Sequence, residues 1–280
     1  MKLPDPRVPS HAPDPFVRDL LKRVANLYGS CRTYQDTGET TKTTRWDEPP
    51  QVRKYSARFK TAFVRPDRFL FEDRDALDDS APGRATDAVW IDASGSGGAW
   101  SAFERFPKEW LSALPIRKAV MLILGSLDSG ALGSFAFVPE LLRVGDDRHS
   151  PLPDPSNARS LGVAEHDGML CERIESTHLP RRDVLWVERG TDLVLKLESI
   201  ETFDDAYDDS VEKMIPLTPT WQHLEDPSPG SPGTRLHGSA RRPRVNRDPF
   251  RSVRTVVWRP IMDRPVDSAS LEFTPPTEGF

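Results

Sequence analysis

The sequence predicts an α+β protein: an antiparallel sheet with one apolar face, covered by a small number of helices. Three observations carry this. Strand-like runs that alternate apolar and polar residues recur along most of the chain. Twenty-seven prolines interrupt helices and bound strands, so helices are expected to be few and short. Residues 108–142 break the strand pattern with an apolar, helix-like insertion placed to cover the sheet.

Residues 1–13 are proline-rich and read as a flexible tail. A helix is expected next, with Asp14 as its cap and Pro15 in its first turn. Phe16, Leu20, Leu21, Val24 and Leu27 share one face of it, and Gly29 closes it. Cys31, Thr33 and Tyr34 then open strand structure, Thr37-Gly38 reads as a bend, and Thr40–Thr44 is β-branched and strand-like. Lys54–Arg65 is a strand, Pro66-Asp67 a break and Phe69–Glu72 its continuation. Asp87–Asp92 and Gly98–Phe106 form a hairpin about the Gly95-Ser96-Gly97-Gly98 turn. Lys108–Leu124 and Phe135–Leu142 supply the helical insertion.

A second meander follows: Val163–Glu165, Met169–Ser176, Val184–Glu188 and Leu193–Phe203. Its turns are His166-Asp167-Gly168, Pro180–Asp183 and Arg189–Asp192. In its last strand Leu193, Leu195 and Leu197 point one way, and Lys196 and Glu198 the other. Residues 216–248 are rich in Pro, Gly, Ser and Arg and form a polar excursion. Val253–Trp258 and Leu271–Thr274 read as the closing strands. The chain is thus expected to hold one domain over 14–276.

Composition narrows the function classes. The net charge is −5, with 37% hydrophobic and 29% charged residues, so no general attraction to nucleic acid is expected. No apolar run is long enough to cross a bilayer as a helix. Met1–Pro6 lacks the apolar segment of a secretory leader. A cytoplasmic location is therefore expected unless a leader preceded this chain, in which case it belongs to the periplasm or cell envelope. Cys31 and Cys171 read either as two buried thiols or as one long-range disulfide.

Motifs for chemistry are sparse. Thr41–Pro49 looks like the end of a WW module, but no earlier tryptophan accompanies Trp46. The Gly95–Gly98 run lacks the Lys-Ser/Thr of a phosphate loop, and no Gly-x-Ser-x-Gly elbow occurs. The histidines lie apart from one another at spacings unsuited to metal binding. No cofactor and no enzymatic activity are expected. Arg241, Arg242, Arg244 and Arg247 form a basic run suited to an anionic membrane surface, or to pairing with the acidic residues of 204–212. The aromatic residues Tyr55, Phe59, Phe63, Phe69, Phe71, Trp90, Trp100, Trp186 and Trp258 either fill a core or line a hydrophobic cavity.

Three features together resemble the bacterial outer-membrane lipoprotein carrier (lipoprotein-sorting) superfamily: the N-terminal amphipathic helix, the Cys31-x-x-Tyr34-x-Asp36-x-Gly38 strand, and Phe59-x-Thr61-x-Phe63-x-Arg65-Pro66. The paired meanders and the Phe273–Pro276 ending extend the likeness over most of residues 16–276. The resemblance implies a strongly curved antiparallel sheet, an incomplete β-barrel, with helices covering its concave side and acyl chains held between. It also implies an arginine that locks the lid, for which Arg32, Arg45, Arg53 and Arg58 are candidates. The function expected is non-enzymatic carriage of a lipid-like ligand or acylated protein by a monomer. Gly125, Gly130 and Gly133 are the expected lid hinges. The alternative is an envelope structural or assembly protein with a filled core that binds a protein partner.

Overall fold

The computed structural model describes residues 14–46, 50–66, 68–75, 87–101, 115–127, 134–144, 151–178, 181–203 and 250–273. Helix α1 (Pro15–Ser30) starts where the Asp14 carboxylate accepts a hydrogen bond from the Phe16 N–H at 2.9 Å, with Pro15 in the first turn. Its buried stripe is Val17, Leu20, Leu21, Val24 and Tyr28. Phe16, expected on that stripe, is 43% exposed. The i, i+3, i+4 spacing runs one position along from it and reaches Tyr28.

Eleven strands follow among the described residues: β1 (Thr33–Trp46), β2 (Gln51–Val64), β3 (Arg68–Asp75), β4 (Asp87–Ile91), β5 (Gly97–Ser101), β6 (Ala158–His166), β7 (Met169–His178), β8 (Arg181–Glu188), β9 (Val194–Phe203), β10 (Phe250–Trp258) and β11 (Ile261–Met262). The other helices described are α2 (Ile116–Leu127) and α3 (Ser134–Leu141). The sheet order is β5-β4-β3-β2-β1-β10-β9-β8-β7-β6, with β11 on β1. These strands pair antiparallel throughout. The two meanders stand as expected, and β10 stitches them together: Gly38 of β1 faces Trp258, and Leu197 of β9 faces Val256.

One hydrophobic cluster holds side chains from β1–β4, β6–β10 and all three of these helices. Helix α1 touches β6 and α3, α3 touches α2, and α2 touches β4 and β5. Ten flat strands spaced about 4.8 Å apart would span about 43 Å, wider than three helices packed side by side at about 10 Å. The sheet therefore curves around its helices as an open, incomplete barrel, with the helices on its concave side. No helix among the described residues is long and apolar enough to cross a membrane.

Several local expectations give way. Strand β1 runs straight through Thr37-Gly38. Gly38 supplies space rather than a bend, since a Cβ there would lie 2.1 Å from the Phe59 ring. The β4–β5 turn is built on Asp92, which accepts from the Ser94 N–H at 2.8 Å and the Ser96 N–H at 3.2 Å; Gly97 and Gly98 already belong to β5. In β9 an irregularity opposite Trp186/Val187 resets the alternation. Val194 and Leu197 both join the main cluster, while Leu195 lies in a second one. The expected closing strand at Leu271 is instead a 3-10 turn (Ser268–Leu271) capped by Asp267.

Candidate functional site

The concave face divides into an apolar part under the helices and a polar part beyond it. In β-strands alternate residues share a face. Phe59 and Phe63 of β2, Phe69 and Phe71 of β3, Val256 and Trp258 of β10 and Leu185 and Val187 of β8 all belong to the main cluster together with the buried side chains of the helices. Phe59 and Phe71 stack at 5.9 Å between ring centroids. Phe137 of α3 stacks on Trp258 at 5.6 Å, so α3 sits on the middle of the sheet through an aromatic pair.

A buried polar thread crosses this interlayer. The Tyr34 hydroxyl donates to Asp36 at 2.6 Å, and the Thr61 N–H donates to the other Asp36 oxygen at 3.0 Å. The Val194 N–H donates to the Tyr28 hydroxyl at 3.1 Å, and the Tyr28 and Tyr34 rings lie 5.7 Å apart. The thread joins α1 to β1, β2 and β9. Burial pushes the Asp36 carboxyl up to about 7, although the hydrogen bonds from Tyr34 and Thr61 act against it. Burial likewise raises both tyrosine hydroxyls.

Arg65, just past β2, fastens the helices. Its guanidinium donates to the carbonyls of Cys31 at 2.7 Å, Tyr28 at 3.0 Å and Leu142 at 3.3 Å. These are the open carbonyl ends of α1 and α3, where a cation is favoured. None of Arg32, Arg45, Arg53 and Arg58 makes this contact. The clue in the sequence is the Arg65-Pro66 step at the end of a long strand, which brings the guanidinium level with the helix ends.

Toward the other ends of the strands the concave face turns polar. Thr40, Thr44, Ser199, Glu201, Ser252 and Arg254 are all buried there. The Thr44 and Ser252 hydroxyls are 3.2 Å apart. Burial raises the Glu201 carboxyl, opposed by the charges of Lys42, Arg181 and Arg254. Among the described residues no group of three metal-ligating side chains gathers.

The predicted aromatic set is thus split between two faces. Phe59, Phe63, Phe69, Phe71 and Trp258 lie in the helix-facing cluster, and Tyr55 packs against it. Trp90 packs with Ala62, Leu70 and Leu271 on the convex face, and Trp90 and Trp100 meet Phe273 at 5.4 and 5.6 Å. Trp186 lies with Cys171, Val184 and Leu195 in another convex cluster. Strand phase places these three tryptophans away from the helices. Cys31 and Cys171 are buried free thiols in different clusters on opposite sides of the sheet, which replaces the disulfide alternative. Gly125 lies inside α2 rather than at a joint. Gly130, Gly133, Arg241, Arg242, Arg244 and Arg247 lie outside the described residues.

No family model and no curated protein matches the sequence. Among solved structures, the chain is similar to a LolA superfamily protein from Nitrosomonas europaea, at 12% identity and TM-score 0.27 over 92% of this chain and 97% of that one. It is also similar to the lipoprotein LppX of Mycobacterium tuberculosis, at 7% identity and TM-score 0.31 over 91% and 98%. LprF from Mycobacterium bovis matches at 9% identity and TM-score 0.36 over 92% and 97%.

Proposed function

We propose that this chain binds and carries a lipid-like or acylated ligand between the curved sheet and its helices, without catalysing a reaction, in the cell envelope. The observation that supports this is the interlayer itself. It is a largely apolar layer of buried side chains spanning both meanders and crossed by the Tyr28–Tyr34–Asp36 thread, and its cover is held by side-chain contacts and the Arg65 fastening. Lifting α3 off Trp258 would expose aromatic surface suited to acyl chains, whose transfer contributes about 0.8 kcal/mol per buried methylene. The test is mass spectrometry of the purified protein under native and denaturing conditions, followed by uptake of a fluorescent fatty acid after delipidation. An acyl-type mass that leaves on denaturation, with saturable uptake, is the expected result. Neither bound lipid nor uptake would overturn the proposal.

The ring-on-ring packing of Phe137 with Trp258 and of Phe59 with Phe71 favours a second reading, an assembly protein whose interlayer is simply its core. The same experiment separates the two, since the second reading expects no uptake at all.

A further inference from the structure

The convex face carries a groove of its own, opposite the helices. Strand β9 pairs with β10 only as far as Lys196 and Val257. Beyond that point the chain stays on β1: the Arg259 N–H donates to the Thr37 carbonyl at 3.0 Å, and β11 pairs with Tyr34 and Gln35. The two halves of the sheet part here and leave a cleft of about 530 Å³, with Met169, Leu193, Leu195, Pro260 and Ile261 in its walls and Glu188 on its lining. Ile261 is 52% exposed. A second cleft, of about 330 Å³, adjoins it and shares Thr37 and Arg259 with it. Both volumes lie in the range of small-molecule sites, about 300–1,000 Å³.

The second cleft is cationic. Arg58, Lys60, Arg74 and Arg259 line it against Glu39. In register, Arg58 stands between Glu39 and Arg74, so two guanidinium side chains face each other across neighbouring strands. Like charges in that position repel. The nearby Glu72 is shared by Lys60 at 2.7 Å and Arg74 at 3.2 Å. Arg58 and Arg259 make no ion pair among the described residues. In the second cleft these four cations face Glu39 and the nearby Glu72, while Glu188 and Asp36 line the adjoining cleft; the positive excess lies at the Arg58 end, where an anion would relieve it.

We propose that this groove binds a single-chain anionic amphiphile, its chain in the Met169–Leu195–Ile261 cleft and its anionic head among Arg58, Lys60, Arg74 and Arg259. Arg259, lining both clefts, sits at the junction of chain and head. The site opens on the convex face, although Asp36 and Phe59 of the interlayer also line its clefts, and it does not depend on lipid being carried beneath the helices.

The test uses calorimetric titration of the full chain with dodecyl phosphate below its micellar concentration. Inorganic phosphate and the uncharged dodecyl maltoside serve as comparators, and circular dichroism verifies the fold of each variant. Dodecyl phosphate is expected to bind most tightly. Arg58→Ser and Arg259→Ser, both at exposed positions, should each weaken it by about tenfold. Ile261→Asp should weaken dodecyl phosphate while leaving inorganic phosphate unaffected. Equal binding of dodecyl maltoside, inorganic phosphate binding as tightly as the alkyl ester, or variants without effect would each overturn the proposal. So would binding to phosphatidylglycerol vesicles without binding of monomeric dodecyl phosphate. A wild-type chain that takes dodecyl phosphate this way yet carries no lipid beneath its helices upholds this site and removes the interlayer reading; the reverse result does the opposite.

Discussion

Asp36 is a carboxyl group buried in an apolar interlayer, and replacing it with asparagine should change how stability depends on pH. In the folded chain its carboxyl is raised from the ordinary 3.8 to about 7, chiefly by burial. The folded protein therefore holds a proton that the unfolded chain has already released between about pH 4 and pH 7. The stabilisation from that proton is complete below pH 4. It is lost progressively as pH rises through 7, and stays lost above. Three pH units at about 1.4 kcal/mol each amount to about 4 kcal/mol. The asparagine side chain keeps a carbonyl to accept from Tyr34 or Thr61 and carries no charge to bury, so this contribution vanishes in the variant. Urea unfolding of wild type and Asp36→Asn at steps from pH 4.5 to 8.5 reads it directly, because all other titrations are common to both. The difference in unfolding free energy should shift toward the variant by a few kcal/mol across that range, with most of the change below pH 7.5. Parallel profiles for the two proteins would refute the reasoning and mean that Asp36 is solvated in the folded state.

Arg65→Ala removes three charge-assisted hydrogen bonds to the ends of α1 and α3 and should cost about 3 kcal/mol. Hydrogen exchange should quicken in the last turn of α1, and Arg65→Lys should restore only part of the loss; unchanged exchange there would show that the helices are held by packing alone. Gly38→Ala places a methyl group against the Phe59 ring and should cost about 2 kcal/mol through overpacking. Adding Phe59→Leu should recover part of that loss in a double-mutant cycle, and strictly additive losses would rule out the clash as the cause.

Much of the architecture is legible in the sequence because it depends on local signals. Asp14-Pro15 marks the start of α1, Asp167-Gly168 marks a hairpin through positive φ at both residues, and alternation marks both meanders. What escapes depends on contacts between segments far apart in sequence. Alternation in Val253–Trp258 shows that the strand has two faces, but not that it separates β1 from β9. Gly38 suggests a bend because glycine signals turns, whereas here it makes room for a ring on the neighbouring strand. The irregularity at Leu195 reverses that strand's phase and turns Leu195 to the convex side, where it joins Trp186. Residue type alone groups Trp90 and Trp100 with the concave aromatics, since only register tells the faces apart. Arg65 is visible in a motif, yet its role depends on where two helices end.

The central place of β10 has a consequence for how the protein is made. Residues 204–249 separate β9 from β10 in sequence, whereas in the sheet β10 lies between β9 and β1. A nascent chain that has not yet cleared the ribosome past Trp258 carries two bare strand borders, one on each half, each ready to recruit a neighbour. The final zip must close across most of the polypeptide, a slow step for any chain. Cells producing this protein would therefore profit from a holding chaperone until that central strand slides home.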